Sequence, residues 1–134
     1  MAEAVMRDLV AKRGLSSGIK IDSAGTSSFH IGEPPHRGAK AVLQQYGIST
    51  AGMFSRQLKH KDFEEFNYIV CMDEANEQNA RELLKEPTSI KIFRLLDLTP
   101  HKMDMPDPWY TGDFQETYDL CKEGCEALLN KIVK

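Results

Sequence analysis

The sequence lacks the features that mark membrane-spanning and nucleic-acid-binding proteins. It has no apolar run of the roughly 20 residues that a membrane helix requires. Its 17 basic and 20 acidic residues are interspersed and give a formal net charge of -3. No basic face is therefore available to neutralise the phosphates of a nucleic acid. We expect partners other than membranes and nucleic acids.

Signals for export, for a disulfide framework and for a metal site are also missing. Residues 1–10 include Glu3 and Asp8 and lack the basic-then-apolar order of a signal peptide, so we expect the protein in the cytoplasm. The three cysteines and four histidines follow no zinc-site spacing. Reduced thiols are expected, and neither a metal nor another cofactor.

What the sequence does contain is a regular alternation of helical and strand patterns. Apolar residues at helical spacing predict helices over residues 2–12, 39–45, 77–85 and 114–132, with a short helical turn at 63–66. Alternating or continuous apolar runs predict strands over residues 19–24, 68–72 and 90–96. A chain of 134 residues with this order predicts one domain of α/β class with a mainly parallel sheet flanked by helices.

The most informative local string is Asp107-Pro108-Trp109-Tyr110, which lies in a polar, proline-rich loop before the last helix. The proline restricts the backbone next to the aspartate. Two large aromatic rings stand beside this aspartate.

This string resembles the acid loop of the low-molecular-weight protein tyrosine phosphatases, and four further stretches match that family in the same order. They are Met1-Ala2-Glu3-Ala4, Ile21-Asp22-Ser23-Ala24-Gly25-Thr26, Ile31-Gly32-Glu33-Pro34-Pro35, and Ser55-Arg56-Gln57-Leu58 followed by Cys71-Met72-Asp73. The resemblance implies a three-layer sandwich around a four-stranded sheet. It also implies hydrolysis of phosphotyrosine, in a protein or in a small aryl phosphate, through a cysteinyl-phosphate.

The resemblance assigns a role to six residues. Asp107 is implied as the general acid that protonates the leaving phenolate and then as the general base. The other implied roles are the walls of the phosphotyrosine slot, Trp109, Tyr110 and Phe29, and support of the phosphate-binding loop, Ser23 and Asp73.

One part of the family pattern is not in the sequence. The family nucleophile lies in a Cys-x5-Arg-Ser-Pro loop that follows the first strand and leads into the helix that here begins Met1-Ala2. None of the three cysteines has an arginine six positions later. We therefore expect an N-terminally truncated, inactive chain that lacks the central first strand of the sheet. An uncovered strand position favours self-association.

Two alternatives stay open. An arsenate reductase shares the fold and the loop, although the aromatic pair Trp109-Tyr110 argues against it, because a small oxyanion needs no aromatic slot. A non-catalytic binding protein would use the remaining slot or the gap in the sheet. The cysteines do not replace the nucleophile, since we expect Cys71 to be a buried thiol and Cys121 and Cys125 to face the core.

Overall fold

The computed structural model describes residues 1–26, 36–54 and 56–133. The helices are α1 Ala2–Lys12, α2 Arg37–Gln45, α3 His60–Glu65, α4 Glu74–Leu84, α5 Pro108–Thr111 and α6 Phe114–Ile132. The strands are β1 Ile69–Cys71 and β2 Ile92–Arg94, and a 3-10 helix spans Leu95–Leu98. Within the described residues, no helix is both long enough and apolar enough to cross a membrane.

Helices α1 and α6 pack against each other and supply much of the core, and both have the predicted bounds. The predicted apolar face of α6 is buried, because its residues recur at three- and four-residue spacing. Its members are Tyr118, Cys121, Cys125, Leu128 and Leu129. From α1, Ala4, Val5 and Val10 join the same cluster. The thiol of Cys125 donates a weak hydrogen bond to the carbonyl of Ala2.

Strands β1 and β2 pair in parallel, with Ile69 opposite Ile92 and Cys71 opposite Arg94. This confirms the predicted α/β class. Both strands are shorter than predicted. Strand β2 ends at Arg94 because the backbone N–H of that residue donates to the carboxylate of Asp97 at 3.2 Å, which starts the 3-10 helix.

The strand predicted over residues 19–24 is not observed. In the described part of the chain, the backbone pairing next to this segment is a single parallel bridge, Gly25 with Gln57. A strand requires a neighbour along its length to pair its backbone groups, and no strand lies beside 19–24 within the described ranges. Strand β1, which was predicted from a continuous apolar run, is only half-buried at Ile69 and Val70.

Side-chain caps explain where two predicted helices begin. The ring of His36 accepts a hydrogen bond from the backbone N–H of Gly38 at 3.0 Å, so α2 begins two residues before the predicted position 39. Asp73 accepts from the backbone N–H of Asn76 at 2.7 Å and so caps α4. That helix begins three residues before the predicted position 77.

An ion-pair network joins the 19–26 segment to α3. The guanidinium of Arg56 donates to both carboxylate oxygens of Asp62, at 2.9 and 3.0 Å, and to Asp22 at 3.1 Å. The backbone N–H of Lys59 also donates to Asp62. Burial by itself raises the pKa of Asp62, but the hydrogen bonds from Arg56 and Lys59 outweigh it and lower that pKa below its usual value.

The network makes stability depend on pH through Asp62. Because its folded pKa lies below the unfolded value, its contribution is complete above the unfolded pKa and is lost as pH falls through the folded pKa. We expect Asp62→Asn to lower the free energy of unfolding by about 2 kcal/mol at neutral pH, and we expect this loss to shrink as pH falls from about 4, the unfolded value, through the lower folded pKa. Urea unfolding at a series of pH values measures this difference.

The matched control for Asp62→Asn is Glu64→Gln, an exposed carboxylate on the same helix. It is expected to change the free energy of unfolding by less than about 0.5 kcal/mol. A loss for Asp62→Asn that is the same at pH 3 and pH 7 contradicts the assignment.

Helix α6 lies so close to the 3-10 helix that only glycine fits at position 124. A Cβ atom on Gly124 would lie 2.5 Å from Cγ of Leu95. Helix propensity favours alanine over glycine by about 1 kcal/mol, whereas forcing an extra carbon into a packed core costs about 1–3 kcal/mol. We therefore expect Gly124→Ala to lower the unfolding midpoint, and Lys122→Ala on the exposed side of α6 to leave it unchanged. A more stable Gly124→Ala variant would show that the two elements separate easily.

Candidate active site

The 99–107 loop runs from the 3-10 helix to Asp107 and returns to the end of β1. The backbone N–H of Met105 donates to the carbonyl of Met72, one residue beyond β1, at 2.8 Å. The side chain of Met105 is buried in the main core. The loop is therefore fixed to the carboxyl end of this strand two residues before the predicted acid.

Arg94 and Asp104 fix the same loop to the end of β2. Nη1 of Arg94 donates to Oδ1 of Asp104 at 2.8 Å, and the backbone N–H of Glu74 donates to that same oxygen at 2.8 Å. Arg94 also donates to Asp97 through Nε and Nη2, at 3.2 and 2.8 Å. These hydrogen bonds lower the pKa of both carboxyl groups, Asp97 and Asp104.

Helix α6 holds the loop directly next to Asp107. The buried hydroxyl of Thr117 donates to the carbonyl of Pro106 at 3.2 Å. On the other side, the carbonyl of Asp107 accepts from the backbone N–H of Thr111 at 3.2 Å, which forms the single turn of α5. The backbone of Asp107 is thus held on both sides.

The structure describes the predicted acid and slot residues to three different extents. Asp107 is exposed and directly precedes α5. Trp109 and Tyr110 lie on α5, but their side chains are outside what the structure describes, and Phe29 lies outside the described residues altogether. The roles of all four remain predictions.

Ser23 contacts the first turn of α1. Its hydroxyl donates a hydrogen bond to Oε1 of Glu3, and the other carboxylate oxygen of Glu3 pairs with Arg7 at 2.5 Å. The side chain of Glu3 is only 4% exposed. A carboxylate is stable at this depth because both of its oxygens have partners.

Asp73 and the 99–107 loop are brought together at the start of α4. The Asp73 carboxylate caps that helix, and the next residue, Glu74, donates its backbone N–H to Asp104. The carboxyl ends of β1 and β2 and the loop that carries Asp107 therefore meet at one edge of the sheet. Open α/β sheets bind ligands at this edge.

The three thiols are buried, as predicted. Burial raises the pKa of Cys71 to about 11 and that of Cys121 to about 11, and it also raises the pKa of Cys125. A thiol with such a pKa is almost entirely protonated at neutral pH and is a poor nucleophile. Across the described ranges, no group of three or more His, Cys, Asp or Glu side chains could hold a metal ion.

Sequence reasoning missed Arg94 and Asp104, which fix this edge, and Glu3, which accepts the hydrogen bond of Ser23. Arg94 was placed inside an apolar strand, although a charged residue in such a run is a signal that it pairs at the strand end. Asp104 has no partner close to it in the sequence that could have drawn attention to it, since it accepts from Arg94 and from Glu74. Glu3 could have been suspected from its place on the apolar first turn of α1.

Comparison with known proteins gives a consistent result. The family model described as low molecular weight phosphotyrosine protein phosphatase matches residues 1–134. The YfkJ low molecular weight protein-tyrosine-phosphatase of Bacillus subtilis is 46% identical over 136 aligned positions, which cover 100% of this chain and 87% of the relative. The PtpA phosphatase of Staphylococcus epidermidis is 37% identical, with coverage of 100% and 85%.

Solved structures agree with the sequence relatives. The crystal structure of YfkJ from Bacillus subtilis superposes with a TM-score of 0.93 at 46% identity, covering 98% of this chain and 84% of that chain. A family match over the whole sequence, joined to relatives of this identity and coverage, establishes kinship. The chain belongs to the low molecular weight phosphotyrosine protein phosphatase family.

Proposed function

We propose that this protein is a phosphotyrosine phosphatase in which Asp107 is the general acid and then the general base. The 134 residues form a single phosphatase-like domain that acts in the cytoplasm. The substrate is the phosphotyrosine of a protein or a small aryl phosphate. Family membership supports the reaction class, and the geometry around the 99–107 loop supports the role of the acid.

The observation that carries the proposal is the double attachment of the 99–107 loop. It is fixed to the end of β1 through Met105 and to the end of β2 through Asp104. An acid that protonates a leaving group must stand within hydrogen-bond reach of one oxygen atom. A loop held at both strands can keep Asp107 in such a position, whereas a free loop cannot.

The reaction proceeds in two steps. A thiolate attacks phosphorus, an S–P bond forms, the aryl P–O bond breaks, and Asp107 transfers its proton to the leaving phenolate. Water then attacks the cysteinyl-phosphate, Asp107 takes a proton from that water, and the S–P bond breaks to release phosphate and the thiolate. Protonation contributes about 10²–10⁴-fold to such a reaction.

The other residues of the proposed site have binding and supporting roles. Trp109, Tyr110 and Phe29 form the walls that receive the phenyl ring of the substrate. Ser23 and Asp73 support the phosphate-binding loop. The hydrogen bond of Ser23 to Glu3 on the first turn of α1 supports this assignment, since in the family pattern the loop leads directly into that helix.

The nucleophile does not come from the cysteines of the 134 residues. All three are buried and have raised pKa values, and none is followed by an arginine six positions later. Phosphate transfer needs both an accessible thiolate and a cation on the phosphate oxygens. We therefore propose that these 134 residues, taken alone, do not turn over phosphotyrosine.

The acid assignment predicts a dependence on the leaving group. Asp107→Asn, introduced into the natural gene and purified from the source, is expected to lower kcat for phenyl phosphate about 10²–10³-fold. The loss should be smaller for p-nitrophenyl phosphate, since p-nitrophenolate leaves without full protonation. Asp119→Asn, an exposed carboxylate on α6, is the matched control and should retain wild-type rates. An equal, small loss on both substrates argues against Asp107 as the acid.

The source of the nucleophile is tested by mass and by activity together. Intact mass of the protein from its source is compared with the 15.2 kDa of these 134 residues. A family-type strand and loop would add about 15 residues, or roughly 2 kDa. The 134 residues produced alone are expected to show no hydrolysis of p-nitrophenyl phosphate. Hydrolysis at a rate that Asp107→Asn abolishes would overturn the proposed inactivity.

The arsenate reductase alternative is separated by substrate. Arsenate carries no aromatic ring, so the string Trp109-Tyr110 favours aryl phosphates. Turnover of arsenate with a thiol reductant, without hydrolysis of aryl phosphates, would decide for the alternative.

A non-catalytic binding function is favoured by one observation, the half-buried state of Ile69 and Val70. A strand of a parallel sheet is normally covered on both faces. This surface would bind a second copy of the chain in the strand position that the family pattern places beside β1. The alternative predicts a dimer of the 134 residues in sedimentation experiments, and binding of a phosphotyrosine peptide without turnover.

A further inference from the structure

We propose that Arg94 and Asp104 are positioning residues for Asp107. The hydrogen bonds of this pair hold the 99–107 loop at the ends of both strands and so determine the position of the acid. The inference rests on the proposed function for the chemistry of Asp107. The attachment of the loop rests on contacts of described residues.

Asp104 connects three segments through one oxygen atom. Its Oδ1 accepts from Arg94 at the end of β2 and from the backbone N–H of Glu74 at the start of α4, both at 2.8 Å. Loss of the Asp104 charge weakens both contacts at once, because hydrogen bonds to an ionised acceptor are about twice as strong as neutral ones. The loop would then keep Met105 and Pro106 as its attachments.

Arg94 is itself held in one orientation. Asp97 accepts from Nε, Nη2 and the backbone N–H of Arg94. A planar guanidinium fixed on one edge directs its remaining donors along fixed lines. One of them meets Asp104, and Nη2 also reaches the carbonyl of Lys102 at 3.4 Å.

Lys102 shows that the loop is held in a conformation it does not prefer. Its φ is +45°, a left-handed value that costs a non-glycine residue about 1 kcal/mol or more. Such a conformation persists only where surrounding contacts determine it. The hydrogen bond from Arg94 to the carbonyl of Lys102 is one of those contacts.

Stability alone is a weak explanation for the pair. The Asp104 side chain is 51% exposed and that of Arg94 is 21% exposed. Exposed ion pairs contribute about 0–1 kcal/mol to stability. Their effect on position is larger, because only Met105 and Pro106 separate Asp104 from Asp107. Prolines at 106 and 108 restrict the backbone on both sides of Asp107, so a shift at Asp104 is transmitted to the acid.

The first test measures how firmly Arg94 and Asp104 hold the 99–107 loop, without any reaction. Amide hydrogen exchange is followed in Arg94→Gln and in Asp104→Asn, the second being the milder change on an exposed side chain. We expect the amide of Met105 to exchange at least about 10-fold faster. The amide of Ile69, which donates to Lys91 at the other end of β1, should keep its wild-type rate. Unchanged exchange at Met105, or an equal rise at Ile69 in both variants, would overturn the proposal.

Arg81→Gln is the matched control for the arginine. Its side chain is 20% exposed, close to the 21% of Arg94. It likewise donates to a carboxylate, Glu77, and to backbone carbonyls, those of Glu86, Pro87, Ser89 and Ile92. None of those partners belongs to the 99–107 loop, so this variant should lose stability without faster exchange at Met105.

The second test asks whether the contacts of Asp104 affect catalysis by Asp107, in the protein purified from its source. Misplacing a catalytic group by about 1 Å costs up to about 10²-fold. Asp104→Asn is therefore expected to lower kcat for phenyl phosphate about 10- to 100-fold, more than for p-nitrophenyl phosphate, with unchanged KM. If Asp107→Asn shows the leaving-group effect and Asp104→Asn does not, the positioning role fails while the proposed function stands. If neither the wild-type protein nor its variants hydrolyse an aryl phosphate, the proposed function fails. The exchange result then still decides whether Arg94 and Asp104 hold the loop.

Discussion

The parallel pairing of β1 with β2 places the ends of both strands side by side, and the arrangement of the candidate site depends on it. Cys71 lies opposite Arg94 at the last paired position. The residues that follow Cys71 therefore start α4 beside the residues that follow Arg94. The 99–107 loop can then reach both strands within a few residues. An antiparallel pair would have sent these two ends to opposite edges of the sheet.

The core between α1 and α6 and the edge of the sheet are held by two different kinds of interaction. The packing of α1 on α6 is apolar and close, with residues such as Val10 and Leu129 almost fully buried. The sheet edge is instead held by ionised groups and helix caps, among them Asp73, Arg94 and Asp104. Ion pairs with partly exposed side chains weaken with salt, whereas apolar packing does not. The loop that carries Asp107 is thus expected to respond to ionic conditions that leave the core intact.

Patterns that depend on one element were predicted well from the sequence. The bounds of α1 and α6 follow from apolar periodicity that the core then confirms. The segment 19–24 was predicted wrongly because alternation indicates only which residues face inward, and a strand also needs a neighbour to pair with. Strand β2 ended early because Asp97 competes for the backbone N–H of Arg94, a side-chain contact that no periodicity contains.

The same distinction explains what was predicted of the site and what was missed. Asp107 could be found from a short string, since its neighbours Pro108, Trp109 and Tyr110 stand beside it in the sequence. Asp104 could not, because its two partners are 10 and 30 positions away. An acid can therefore be identified from its neighbours in the sequence. Its position in the structure depends on where two strands end that are distant from it in the sequence. A charged residue that ends an apolar strand, as Arg94 ends β2, is a feature that can reveal such placement in related sequences, because a charge that is partly buried at a strand end requires a partner.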